Sequence, residues 1–490
     1  MRCFVIACAL CLLSRAPSFR YGVISDDEAI YDAMAQEIRA GGVMYRDTVD
    51  HKPPGLVYTY AAVQQLGSGM AAVHLTGLLA VLGTIAGLYA IGRRLLPDAA
   101  AMPALLYVLS SAAKQPVDGL AVNGELLMNL PTVWAAWAAI TATRKRSLTL
   151  DLWAGALCAI ALLYKYQAAV LGLALFALLD FRQPAQAARR TIAWLLGAAL
   201  PLTLCAAYFA ERSALADAFS WGIDFNRRYL SDAPPLAWAL RRLGWQFVGV
   251  VLPSALLYGA GLATLLRIRP QSPEQRFLVV WSALALTAVF LGGRFFGHYF
   301  LQPELPLALL AAELAARLFR HRPRTIAVAI GLPAFTFWIV ALSPPLHHRL
   351  FDADSPNLIA LGEAIADRTR PDQTIWVWGN VPQIYHAAQR RPGVRFPFCN
   401  YLTGLSPATP SEYDPAVDPH EHAVAEAWPL VFHDLESRRP ALVIDTAAAG
   451  MKGYGKFPIA SFPKLDAYLQ AHYHRAGEIS GAVLYHRSDG

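Results

Sequence analysis

The run GLLAVLGTIAGLYAIGRR, residues 77–94, is uncharged and largely apolar until it ends in two arginines. An α-helix needs about 20 such residues to cross the hydrocarbon core of a bilayer, and comparable runs recur along the chain. Of the 490 residues, 56% are hydrophobic and only 16% are charged, a balance outside the range of ordinary soluble domains. The sequence therefore predicts a polytopic α-helical membrane protein.

The apolar runs give the expected spans. We place them near residues 70–92, 98–114, 125–143, 150–164, 166–180, 191–210, 246–266, 277–294, 299–318 and 324–342. With the N-terminal run at residues 3–13, interpreted as a shortened first helix rather than a signal-peptide core, they make about eleven transmembrane helices. Residues 54–67 are apolar but short, which indicates a re-entrant or tilted piece.

The net charge of +7 comes largely from basic clusters on alternate connections between the spans. These clusters lie at residues 93–94, 144–146, 182–190, 267–276 and 320–324. Basic residues favour cytoplasmic loops, so the pattern predicts which connections face the cytoplasm. It also explains the positive net charge without any need for nucleic-acid binding. The remaining connections, residues 14–53, 115–125 and 211–245, are then expected outside, together with the chain after about residue 343.

The sequence changes character at the end of the last span, which divides the chain into a membrane domain, residues 1–343, and a tail, residues 344–490. TIWVWG (374–379) and ALVIDT (441–446) are typical of buried strands, while PQIYHAAQRR (382–391) and residues 421–439 favour helices. The tail is therefore predicted to be an extracytoplasmic α/β domain.

The six cysteines indicate neither disulfides nor a metal site. The tail holds only Cys399, and the CxxC formed by Cys8 and Cys11 lies in an apolar run without a second pair. No phosphate-binding glycine motif is present either. We expect no metal and no other cofactor.

Acidic residues are concentrated in SDDEAIY, residues 25–31, which precedes a helical pattern with apolar residues at 30, 34 and 38. That spacing predicts a helix lying in the membrane interface. Asp26, Asp27 and Glu28 fall at its N-terminus, where carboxylates also serve as caps. Capping and a functional role are both compatible with the local pattern.

Lys52 lies in HKPPG, residues 51–55, where two prolines stiffen the backbone that carries it. A cation fixed at membrane depth can pair with an anionic lipid phosphate. The alternative is a lysine that anchors a span by snorkelling, which requires neither the prolines nor the preceding acids.

Further polar residues fall at the predicted outer helix ends. They are Asn123 and Glu125 in the second outer loop, Lys165 in LLYKYQ, and Arg294, His298 and Tyr299 in GGRFFGHYF. A carboxylate that opens a span either caps it or faces a polar cavity, and an arginine among aromatic residues is typical of an interfacial belt. Lys165 is either a loop anchor or a second phosphate contact.

Together, DEAIY (27–31), KPPG (52–55), an acid in the next outer loop and HYFLQPELPLALL (298–310) resemble the GT-C glycosyltransferases of family 39 and its relatives. These include protein O-mannosyltransferases and lipid A aminoarabinose transferases. The tail phrase at residues 378–398 is similar to the outer domain of bacterial members. The resemblance implies inverting transfer of a sugar from a polyprenyl-phosphate donor, in a bacterial inner membrane, with the active site and the tail facing the periplasm.

The resemblance also implies roles for particular residues. Asp27, with Glu28 beside it, matches the family's first-loop acid, a proposed general base or acceptor-positioning group, and Lys52 matches its donor-phosphate contact. The second-loop acid maps onto Glu125, with Asp118 as a rival because the phrase here is NGE. Arg294, His298 and Lys165 are further candidate phosphate contacts, and Asp26, Tyr31, Asn123 and Tyr299 are candidate substrate contacts.

Two other classes of function compete with the transferase. A lipid or glycan transporter would show polar or broken helices at the bilayer midplane, whereas the charges here cluster at the outer boundary. A sensor or assembly protein would use the acids and Lys52 only as caps and anchors. The sugar, and whether the acceptor is a glycan, a lipid or a protein, stay open.

Overall fold

The computed structural model describes residues 2–20, 22–67, 69–114, 116–231, 233–322, 324, 331–332, 335, 356–407, 409–414 and 416–488. The predicted span at residues 324–342 and the domain boundary at residue 343 lie almost wholly outside this set.

The first two thirds of the described chain are helical. In order, the helices are α1 (Arg2–Arg15), α2 (Asp26–Arg39), α3 (Gly55–Gln65), α4 (Met70–Leu95), α5 (Met102–Ala112), α6 (Pro116–Gly119), α7 (Gly124–Lys145), α8 (Leu148–Tyr164), α9 (Ala169–Leu175), α10 (Pro184–Glu211), α11 (Leu215–Phe219), α12 (Phe225–Ser231), α13 (Leu236–Gln246), α14 (Ala255–Arg267), α15 (Pro273–Phe290) and α16 (Leu301–His321).

Among the described residues, four helical stretches are long and apolar enough to cross a membrane. They are Cys3–Arg20, Met70–Leu95, Val117–Lys145 and Pro184–Glu211, and a bent pair, Leu236–Val251 with Ala255–Arg267, becomes a fifth if it is one span. Shorter apolar helices, such as α8, lie between them. A multi-pass helical domain is therefore observed, while the number of about eleven spans stays a prediction.

The tail forms a mixed α/β domain. Its helices are α17 (Pro356–Asp367), α18 (Gln383–Ala388), α19 (Asn400–Thr403), α20 (Pro410–Tyr413), α21 (Ala427–Arg438) and α22 (Pro463–His472), and its strands are β1 (Thr374–Trp378), β2 (Arg391–Pro392), β3 (Leu442–Asp445), β4 (Tyr473–Ile479) and β5 (Ala482–Arg487). The sheet order is β2-β1-β3-β5-β4, with β2, β1 and β3 parallel and β5 and β4 antiparallel to their neighbours.

The buried strands β1 and β3 confirm the strand predictions at residues 374–379 and 441–446. The helix predicted at 421–439 is confirmed only from Ala427, because residues 420–422 form a short 3-10 turn and the chain turns before α21 begins. Strand β4 was not predicted, since it is an edge strand whose residues are mostly exposed and polar.

The bundle brings three segments together at the end of α8. A Cβ on Gly55 would lie 2.6 Å from the carbonyl oxygen of Leu163, and one on Gly124 would lie 2.9 Å from that of Tyr164. Only glycine permits these close approaches. As a result the KPPG loop, the start of α7 and Lys165, which follows α8, are neighbours.

The basic connections lie at the other end of the bundle. Arg144, near the end of α7, pairs with Glu274 at 2.9 Å and donates to the Arg94 carbonyl at 3.1 Å. Because α7 contains 22 residues, this end lies about 33 Å from the start of α7. The helices therefore separate an arginine-rich end from the end that carries Lys52.

This separation predicts the sidedness of labelling. In intact cells, a membrane-impermeant maleimide should label a cysteine placed at Glu421, whose side chain is 80% exposed in the tail. A cysteine at Arg276, exposed at the basic end, should react only after the membrane is opened. The parent protein supplies the background from native cysteines, and the reverse pattern would refute the predicted orientation.

Candidate functional site

Helix α2 begins with a cap that Ser25 and Glu28 form together, and it differs from a capping box because Glu28 bonds the residue before the N-cap. The Ser25 Oγ accepts a hydrogen bond from the Glu28 N–H at 3.2 Å, and the Glu28 carboxylate accepts from the Ile24 N–H at 2.7 Å. Its other oxygen accepts from the Val122 N–H at 2.7 Å. Glu28 is fully buried, so the geometry favours the capping interpretation for this acid over its predicted catalytic role. The S-x-x-E pattern was a readable signal for it.

Helix α2 does not lie on a lipid surface as the sequence suggested. Ile30 is only 7% exposed and Met34 is fully buried. The helix packs against α3 on one side and against α18 and β2 of the tail domain on the other. The prediction was wrong because a domain encoded more than 300 residues later covers the face expected to meet lipid.

Acidic side chains of α2 dock the tail domain. Asp26 accepts a hydrogen bond from Gln383 and lies 3.5 Å from Lys452, Asp32 pairs with His386 at 2.9 Å, and Glu37 lies 3.2 Å from Arg438 and 3.4 Å from Arg391. Asp26, predicted to contact substrate, therefore faces the domain interface.

Asp27 forms an ion pair with Lys52. The Lys52 Nζ donates to the Asp27 Oδ1 at 3.0 Å and to the Tyr31 hydroxyl at 2.7 Å, and it lies 3.7 Å from Asp50. The side chains of Lys52 and Asp27 are 19% and 30% exposed. These partners make Lys52 a positioned cation rather than a snorkelling anchor.

Both members of this pair are held in their charged forms. Burial acts to raise the pKa of Asp27, but the positive charges of Lys52, His298 and Lys165 outweigh it, so the pKa lies below its ordinary value. Burial acts to lower the pKa of Lys52, but Asp27, Tyr31 and Asp50 outweigh it and the pKa rises well above the ordinary value. Near neutral pH the pair is therefore ionic.

A second ion pair joins the start of α7 to the end of α8. The Lys165 Nζ lies 2.8 Å from the Glu125 Oε1 and 4.9 Å from the centre of the Tyr299 ring. Glu125 is 2% exposed and lies in the first turn of α7. Its carboxylate faces a basic side chain across the helix ends, and the polar cavity beside it stays a prediction.

The rival acid Asp118 belongs to a third pair. Its Oδ1 lies 3.8 Å from the His298 Nδ1. Gly297 makes room for this contact, because a Cβ there would lie 2.2 Å from the Asp118 Oδ2. The two second-loop acids thus have different partners, Glu125 with Lys165 and Asp118 with His298.

The three pairs meet at one place. The charges that act on Asp27 are those of Lys52, His298 and Lys165, and Lys165 and His298 are also the cationic neighbours of Glu125. Segments that are far apart in sequence therefore supply one cluster of alternating charges at the end of the bundle. The structure brings these predicted site residues together; their roles stay predictions.

Two other candidates lie at the margin of this cluster. Arg294 is 1% exposed, stacks on Tyr229 at 4.1 Å and donates to the Ser406 hydroxyl at 2.7 Å, so it ties the bundle to the tail domain. Asn123 is 2% exposed, and its amide lies 3.5 Å from the Val117 carbonyl oxygen. These contacts favour loop-positioning roles over the predicted contacts with phosphate and substrate.

Two residues near Lys52 were missed by the sequence analysis. Asp50 is 1% exposed and lies 3.1 Å from His51, and its position two residues before Lys52 was a usable signal. The Tyr229 ring stacks on the Arg294 guanidinium, and its centre lies 4.5 Å from the centre of the His51 ring. No local pattern identified it, because its neighbours come from distant segments.

A buried charge pair supports the loop that carries His298. The Lys114 ammonium bonds the Glu304 carboxylate and donates to the Ser110 hydroxyl at 2.9 Å. Ser110 in turn donates to Ser254 at 2.8 Å, so α5, α16 and the start of α14 are joined. Both charged side chains are fully buried.

Breaking this pair should destabilise the protein strongly. Lys114→Met leaves the Glu304 carboxylate buried without its cation, which costs about 3 to 5 kcal/mol in comparable pairs. We expect a large fall in melting temperature in detergent. The double variant Lys114→Met/Glu304→Gln, which removes both charges, should recover part of the loss; a double variant no better than the single one would contradict this account.

Comparisons with known proteins identify the fold. Residues 51–209 match the family model described as dolichyl-phosphate-mannose-protein mannosyltransferase. ArnT from Cupriavidus metallidurans, solved bound to undecaprenyl phosphate, superimposes with a TM-score of 0.65 at 14% identity, covering 98% of this chain and 97% of that one. No curated protein matches the chain in sequence.

An archaeal protein has a similar fold. The oligosaccharyltransferase AglB from Archaeoglobus fulgidus, in complex with an inhibitory peptide and a dolichol-phosphate, superimposes with a TM-score of 0.54 at 12% identity, covering 99% of this chain and 74% of that one. The likeness of structure extends over nearly the whole chain, and the family match includes the HKPPG loop. The chain thus has the GT-C fold, and its resemblance to the family 39 glycosyltransferases and their relatives is confirmed.

Proposed function

We propose that this protein is an inverting glycosyltransferase that moves a sugar from a polyprenyl-phosphate donor to an acceptor on the outer face of the membrane. The family model and the GT-C fold support transfer from a lipid-phosphate sugar. The observation that carries the proposal is the Lys52–Asp27 pair, with Tyr31 on the lysine and Lys165 and His298 close by.

The donor phosphate would replace Asp27 as the partner of Lys52. Asp27 is the counter-ion of Lys52 at 3.0 Å, and a phosphate oxygen can take that place with a charge-assisted hydrogen bond. When the bond between the anomeric carbon and the phosphate oxygen breaks, the departing polyprenyl phosphate gains negative charge. Lys52 then stabilises that charge where it develops.

This replacement would leave the Asp27 carboxylate free to contact the acceptor hydroxyl. The depressed pKa of Asp27 keeps it ionised, so it can receive the proton of the acceptor hydroxyl as the hydroxyl oxygen bonds to the anomeric carbon. Attack from the face opposite the departing phosphate inverts the configuration. Glu125 and Asp118 would hold Lys165 and His298, respectively, beside the phosphate.

The test is turnover of defined donors. Purified protein in lipid nanodiscs is incubated with a panel of polyprenyl-phosphate sugars and candidate glycan, lipid and protein acceptors, and release of polyprenyl phosphate is followed. Release from one donor, with an inverted linkage in the product, supports the proposal. Movement of a donor across the bilayer without release would favour the transporter instead.

A further inference from the structure

A cavity of about 480 Å³ opens at the arginine-rich end of the bundle, where α8 and α10 begin. Its lining includes Arg146, Leu148, Asp151, Gln186, Arg189 and Arg190. Three guanidinium groups therefore face one carboxylate. The proposed transferase chemistry, at the opposite end of the bundle, does not use any of these residues.

A buried ion pair lines the cavity. Arg190 is 6% exposed and donates to Asp151 at 2.9 Å, and the Trp194 indole N–H donates to the same carboxylate at 2.8 Å. Arg190 also donates to the Ala139 carbonyl at 3.3 Å. Arg190 thus neutralises the Asp151 carboxylate, which therefore does not cancel the positive charge of Arg146 and Arg189 at the mouth of the cavity.

Arg146 and Arg189 provide the uncompensated charge. Both side chains are exposed, and within the described residues neither has a hydrogen-bond or ion-pair partner. The first turns of α8 and α10 also line the cavity, and Gln183, which precedes α10, makes no side-chain cap. Helix N-termini and arginine forks both favour phosphate oxygens.

The cavity continues into an exposed apolar surface. Ile192 and Leu196, which share a helix face with Arg189, are 54% and 61% exposed, and Leu148 on α8, which lines the cavity, is 47% exposed. In a membrane-spanning bundle such a surface contacts acyl chains. A cationic cavity followed by an apolar strip along the same helix is complementary to a phospholipid with an anionic headgroup and apolar acyl chains.

We propose that this cavity binds the phosphate headgroup of an anionic membrane phospholipid, whose acyl chains lie along the exposed faces of α8 and α10. Basic pockets between membrane helices recognise such headgroups. The bound lipid would hold the loops that begin α8 and α10 at the membrane surface. The site is independent of the donor site and would be occupied whatever sugar the protein transfers.

The test measures lipid retention. The protein is purified from nanodiscs containing equal amounts of phosphatidylglycerol and phosphatidylcholine, and lipids that stay bound are quantified by native mass spectrometry. Wild type and the control Arg276→Gln, which changes an exposed arginine at the same end, should retain phosphatidylglycerol. Arg146→Gln/Arg189→Gln should bind it roughly 30-fold more weakly, since each arginine near an anionic headgroup contributes about fivefold.

Two further measurements test whether positive charge and the whole lipid are both required. Arg146→Lys/Arg189→Lys, which preserves the charges that orient the chain, should retain phosphatidylglycerol far better than the glutamine variant. Inorganic phosphate should raise the melting temperature much less than phosphatidylglycerol does. Equal retention of phosphatidylcholine, undiminished retention in the glutamine variant, or an equal effect of phosphate would overturn the proposal.

Discussion

Asp27→Asn is expected to abolish donor turnover while the protein stays folded and continues to bind polyprenyl phosphate. Asparagine has nearly the same shape, but it cannot accept the proton of the attacking hydroxyl. Loss of a general base lowers turnover by about 100- to 10,000-fold. The substitution also removes the counter-ion of Lys52, so the lysine should bind the donor phosphate at least as tightly as before.

The control for this variant is Asp224→Asn. Asp224 is a half-exposed acid between the α10 and α13 segments, and it pairs only with Arg227 at 3.1 Å among the contacts that the structure describes. Its loss should leave turnover and melting temperature near those of wild type. Full turnover in Asp27→Asn would remove Asp27 from the reaction and leave it as a partner of Lys52.

Lys52→Ala is expected to weaken donor binding by about 30-fold to several thousand-fold. The substitution deletes the cation that would face the phosphate, and truncating one member of a desolvated charge pair costs about 2 to 5 kcal/mol. Turnover at saturating donor should fall as well, because the departing phosphate loses its stabilising charge. Binding is measured by titrating polyprenyl phosphate into protein in nanodiscs.

Lys52→Arg is the matched variant for charge. It keeps a cation near Asp27 and Asp50, so the melting temperature should stay close to that of wild type and binding should fall less than in Lys52→Ala. Donor affinity that is the same in wild type, Lys52→Ala and Lys52→Arg would show that the phosphate binds elsewhere. Lys165 would then be the next candidate.

The sequence predicted the parts of this protein that follow from local chemistry. Long apolar runs identified α4, α7 and α10, and short apolar runs typical of buried strands identified β1 and β3. The motif residues Asp27, Lys52, Glu125, Lys165 and His298 were singled out by unusual chemistry at helix ends and by the family resemblance, and they do converge in the structure.

Features that depend on distant partners were not predictable in the same way. The tail domain covers α2 through contacts such as Asp32 with His386, and nothing near residue 32 indicates a partner 354 residues away. Which of three adjacent acids faces Lys52 is likewise set by the packing of α2. Only the role of Glu28 had a local signal, the serine three residues before it.

The central claim is tested most directly by measuring polyprenyl-phosphate affinity and donor turnover side by side in wild type, Asp27→Asn and Lys52→Ala. The account predicts that the two variants separate: Asp27→Asn binds the lipid at least as tightly as wild type but does not turn over, whereas Lys52→Ala loses affinity. A parallel loss of affinity and turnover in both variants, matched by equal falls in melting temperature, would instead make the pair a structural ion pair and contradict the account.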